Sequence, residues 1–122
     1  LRTVLTLVLA LLVVVGLVPA TAAAHPGHEA PAEFRALLFT KTAAGAYRHD
    51  SIPAGIAMVE KLAVDNHFEV VHSDDSAQFT DENLAGFDVV IMLQNGGMVW
   101  DTDAQRAAVR KYVNNGGGIV AI

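Results

Sequence analysis

The chain has 122 residues with 8 basic side chains, 13 acidic ones, 5 histidines and no cysteine. That length allows one domain at most, and without cysteine no disulfide contributes to its stability. A net charge of -5 argues against nucleic acid as a partner, since nucleic acid calls for a basic face.

The first 24 residues stand apart from the domain. Arg2 gives a short positive start, Val4 to Val18 is apolar apart from Thr6 and Gly16, and Pro19 to Ala24 ends in small residues. This order predicts a secretory signal peptide, with Ala22-x-Ala24 as the cleavage pattern. The apolar run is shorter than the about 20 residues that a membrane span needs, and no basic cluster follows it. The expected product is therefore secreted, with no membrane attachment after cleavage. Removing Arg2 with the signal leaves seven basic against thirteen acidic side chains, a net charge of -6. Residues 25–33, with His25-Pro26-Gly27-His28-Glu29-Ala30-Pro31, read as a linker. A new terminal amine with His25 and His28 is chemistry suited to copper. Pro26 and Gly27 give it no rigid support, so the segment is read as a solvated tail and no metal site is assigned.

From residue 34 onward apolar runs alternate with helical patterns. Leu37-Leu38-Phe39 predicts a first strand. Asp50 or Ser51 caps a first helix with Pro53 in its opening turn, and Ile52, Ile56, Val59, Leu62 and Ala63 recur on one face. Phe68 to Val71 predicts a second strand. Thr80 caps a short helix, with Phe79 and Leu84 as a hydrophobic staple and Gly86 as its stop. Asp88 to Leu93 is apolar after its first residue, as a strand buried on both faces should be. Thr102-x-x-Gln105 is a capping box for a third helix whose face is Ala104, Ala108, Val109 and Tyr112, ended by Asn114 to Gly117. Gly118 to Ile122 opens a fourth strand. The alternation predicts an α/β fold, a flavodoxin-like doubly wound parallel sheet that is C-terminally truncated in this chain.

Loops after the strands of such a sheet carry binding sites. Lys41 to Asp50 is long for a strand-to-helix connection and holds Lys41, Tyr47, Arg48 and His49. Lys41 and Arg48 suit an anionic or hydroxyl-rich ligand, Tyr47 offers a ring and a hydroxyl, and His49 suits acid–base work. The plainer alternative is that Arg48 and His49 bond carbonyls and lock the loop. His72 to Ser76 follows the second strand, where Asp74 and Asp75 read as turn caps before cation ligands, and His72 as structural. Gln94 and Asn95 open the third loop with paired amides suited to sugar hydroxyls, and Gly96-Gly97 either admits a ligand or makes a tight turn. Trp100 is either a stacking platform or the edge of the core. Gly116-Gly117-Gly118 precedes a strand, so it stops a helix and cradles no phosphate.

Four segments then carry a resemblance: Leu38-Phe39-Thr40-Lys41-Thr42, Tyr47-Arg48-His49-Asp50-Ser51-Ile52-Pro53-Ala54-Gly55, Phe79-Thr80-x-x-Asn83-Leu84, and Tyr112-Val113-x-x-Gly116-Gly117-Gly118. Together they resemble the ThuA-like (trehalose utilisation) family from about Arg35 to Ile122. The resemblance implies a class I glutamine amidotransferase-like superfold and a role in the metabolism of a trehalose-type disaccharide or keto-sugar, with glycosyl hydrolase-like activity. It places His49 as the acid/base and Lys41, Thr42, Tyr47, Arg48, Gln94 and Asn95 as contacts to a small-molecule sugar. No cofactor follows from it. Two alternatives stay open: a non-catalytic sugar-binding module, and an amidotransferase-like hydrolase whose nucleophile lies past residue 122.

Overall fold

The computed structural model describes residues 31–122, so the expected signal peptide and residues 25–30 lie outside the described residues. Four strands alternate with helices: β1 (Arg35–Phe39), α1 (Ile52–Asp65), β2 (Glu69–Ser73), α2 (Asp81–Leu84), β3 (Val89–Met92), α3 (Asp103–Asn114) and β4 (Gly118–Ala121). A single 3-10 turn at Ser76–Gln78 precedes α2. The strands form one parallel sheet in the order β2-β1-β3-β4, the flavodoxin-like pattern expected.

Side chains of a strand alternate between faces, and that period sorts the core into two layers. Leu37, Phe39 and Val90 face one way and pack with Leu84, Ala108, Val109 and Tyr112 from α2 and α3. Leu38 and Leu93 face the other way and pack with Val59 of α1. The central strand β1 is buried from Ala36 to Phe39, as a strand covered on both faces must be. Each large side chain so removed from water contributes about 1.5–3 kcal/mol.

Local signals explain the ends of the elements. Thr102 accepts from the Gln105 amide while the Gln105 side chain returns to the Thr102 backbone, completing the capping box. Thr80 accepts from Asn83 and caps α2, with Phe79 and Leu84 both buried beside it. α1 ends on a bond from the Phe68 amide to the Ala63 carbonyl, with His67 in the left-handed region at φ 54.

Three expectations need correction. β2 begins at Glu69, because Phe68 stacks on Phe34 outside the sheet, at 4.5 Å and 12°. The strand then runs through His72 and Ser73, which pair with Leu38 and Phe39 and are not loop residues. Leu62 and Ala104 were expected on the packed faces of their helices. Leu62 is 45% exposed on the rim of an apolar groove with Phe34, Met58, Ile91, Val120 and Ile122, and Ala104 is exposed in the first turn of α3. No helix among the described residues is long and apolar enough to cross a membrane.

Candidate functional site at the carboxyl end of the sheet

Parallel pairing brings the loops after β1 and β3 out on the same edge, and the strand order makes them neighbours. Their pairing continues past the strands. Leu93 donates to the Phe39 carbonyl at 2.9 Å, Ala43 donates to the Gly96 carbonyl at 2.8 Å, and Thr42 bridges Gly96. The Gly-Gly pair makes this seam possible. A Cβ at Gly96 would stand 3.1 Å from the Tyr47 carbonyl oxygen. One at Gly97, which sits at φ 73, would stand 3.0 Å from the Ala43 Cβ. His49 and Asn95 therefore belong to one joined rim.

Part of that rim is closed on itself. Lys41 Nζ donates to Ser76 Oγ at 2.5 Å and to both oxygens of Asp101 at 2.7 and 2.8 Å. Ser76 is fully buried, and its hydroxyl donates onward to the Val99 carbonyl at 2.7 Å. All three ammonium hydrogens thus have protein partners, and Lys41 faces the protein. The Lys41 hydrogen bonds hold the Asp101 carboxyl below the usual carboxylate range. Asn95 Nδ2 donates to the Phe39 and Lys41 carbonyls at 3.3 and 3.0 Å, satisfying the end of β1, while its Oδ1 is buried with no partner among the described residues. Arg48 Nη1 turns back on its own loop, to the Thr40 carbonyl at 3.2 Å and the Thr42 hydroxyl at 3.4 Å. Arg48 thus makes the carbonyl bond of the plainer alternative, whereas the His49 ring makes none among the described residues.

The other part is open. Tyr47 is 71% exposed and meets the exposed His49 ring edge-on, with centroids 5.0 Å apart. Gln94 adopts φ 45, an uncommon conformation for a residue with a side chain, and its Oε1 accepts from Ser51 Oγ at 2.8 Å. Ser51 occupies the N-cap position of α1 as expected, but its side chain makes no capping bond. Ser51, Ser76 and Asp101 were not among the expected site residues. Their partners lie 23 to 60 residues away in the chain, and no local spacing marks such pairs.

The remaining candidates are structural. His72 Nε2 lies 2.8 Å from the hydroxyl of buried Thr40. Asp75 accepts from the Ala77 amide and caps the 3-10 turn. Trp100 packs edge-on against Phe79 at 5.8 Å and forms the border of the core. No group of three or more His, Cys, Asp or Glu side chains is placed to hold a metal ion among the described residues.

The chain matches the family model of ThuA, trehalose utilisation, over residues 35–122. It is also similar in fold to a crystallised ThuA-like protein from Bacteroides uniformis ATCC 8492, with a TM-score of 0.59 and 24% sequence identity. That likeness covers 80% of this chain and 39% of the other, so this chain spans well under half of that protein's length. No curated protein matches the sequence.

Proposed function

The chain belongs to the trehalose-utilisation (ThuA) family, and from that premise we propose that the open part of the rim binds a sugar of the trehalose type. The observation that carries this reading is the seam between the loops after β1 and β3, which brings Tyr47, His49 and Gln94 to one edge. Tyr47 offers an exposed ring for the apolar face of a pyranose, and Gln94 and Thr42 offer polar groups for its oxygens. His49 is the acid/base residue. Lys41 and Asn95 hold the rim, and Arg48 stiffens its loop. Residues 1–24 direct export, so the domain acts on sugar outside the cytoplasm.

A glycosyl hydrolase-like reaction requires a proton donor at the leaving oxygen, and removing such a group typically lowers the rate by about 10²–10⁴-fold. The His49→Ala protein should therefore lose turnover of disaccharides by that order while still binding them. Retained turnover would overturn the assignment of His49. A non-catalytic sugar-binding module is the second reading, favoured by the ring contact of His49. That contact is to Tyr47, and no carboxylate hydrogen bond orients the imidazole among the described residues. It predicts saturable binding of trehalose with no turnover by the wild-type protein. Export is checked separately by mass spectrometry of the secreted product, whose first residue should be His25.

A further inference from the structure

Ser51 stands where a helix cap belongs and does something else. Its own backbone is already helical, at φ -79 and ψ -10, and no capping bond forms from its side chain. A capping serine has an extended backbone and accepts from an amide two or three residues on. Ser51 Oγ instead donates to Gln94 Oε1, 43 residues away. The contact needs α1 to lie close against the end of β3, and Gly55 permits that approach. A Cβ there would fall 2.9 Å from Leu93 Cδ2, and Leu93 is buried immediately before Gln94. The Gln94 backbone is held from the other side as well, its main-chain N–H donating to the Ile122 carbonyl at 2.9 Å.

Resting on the sugar-binding reading above, we propose that Ser51 is a positioning residue that fixes the side-chain amide of Gln94. Ser51 uses one lone pair of the amide oxygen, and the Nε2 hydrogens remain for the ligand. Gln94 then presents its Nε2 hydrogens in a fixed direction, together with the second lone pair of its oxygen. A sugar hydroxyl or ring oxygen can accept from Nε2, and a hydroxyl can also donate to the remaining lone pair. The rim so oriented offers a hydroxyl-rich sugar a pre-aligned amide and not a freely rotating one.

The test compares Ser51→Ala, Ser51→Thr and Ser51→Asp in the full chain. Two readouts are used: the Gln94 side-chain amide resonances of the ligand-free protein, and calorimetric titration with trehalose. Ser51→Ala should shift the Gln94 amide pair and weaken trehalose binding about fivefold, the effect of one lost hydrogen bond, at unchanged Tm. Threonine keeps the donor and should restore both readouts. Aspartate is a good cap that cannot donate at neutral pH, and it should restore neither. If aspartate rescues as well as threonine, or alanine lowers Tm and leaves the Gln94 resonances in place, Ser51 is an ordinary cap and the proposal falls. Absence of trehalose binding by the wild-type protein would sink the sugar reading instead, and the ligand-free resonances would still decide the role of Ser51.

Discussion

Lys41 and His49 sit eight residues apart on one loop, yet they end in opposite situations. Lys41 is clasped by Ser76 and Asp101, reaching across from the turn after β2 and the approach to α3. His49 is exposed, with Tyr47 as its ring neighbour. The difference teaches that polar residues on a rim divide into those that assemble it and those it presents. Side-chain partners within the protein separate Lys41 from His49, and residue type alone does not. The clasped half should govern stability, and the open half should govern ligand chemistry.

The sharpest way to break that division is at Ser76. Ser76→Val leaves the Val99 carbonyl without its donor and strips one partner from the Lys41 ammonium, inside a fully buried site. An unmet buried polar group costs about 1–3 kcal/mol, so the midpoint of urea unfolding should fall clearly. Gly97→Ala comes next. It places a side chain at φ 73 and brings a Cβ to within 3.0 Å of Ala43, which should cost more than about 1 kcal/mol and loosen the seam. His49→Ala should change stability by no more than about 0.5 kcal/mol, as expected of an exposed residue. A large loss of stability in His49→Ala, or none in Ser76→Val, would erase the distinction between the halves.

Much of the scaffold was legible in the sequence, because its signals are local. The apolar run through Val89–Met92, the capping box at Thr102 and Gln105, and the staple of Phe79 and Leu84 each depend on residues a few positions apart. Errors arose where distant pairing decides. β2 starts one residue later than its apolar run suggests because Phe68 stacks on Phe34, and Leu62 lies outside the face that α1 buries through Ile52, Val59 and Ala63. At the rim, the sequence singled out the two loops that the seam joins but could not say which side chains would be occupied. Lys41 reads as a free cation until Asp101, 60 residues later, is brought beside it. Ser51 reads as a cap until Gln94 arrives.

The smallest expected effect tests the clasp through its charge. The Asp101 carboxyl is held below its ordinary value, chiefly by hydrogen bonding from Lys41. A carboxyl depressed in the folded state stabilises the fold above its unfolded pKa of about 3.9, and that contribution fades as pH falls through the folded value. Wild-type Tm should therefore decline below about pH 4 more steeply than that of Asp101→Asn, while the two decline in parallel from neutral pH down to that point. Asp101 is more than half exposed, so salt should shrink the difference further. A matching pair of acid limbs would mean that Ser76, anchored on the Val99 carbonyl, holds Lys41 without help from the carboxylate, and the clasp would reduce to its buried neutral part.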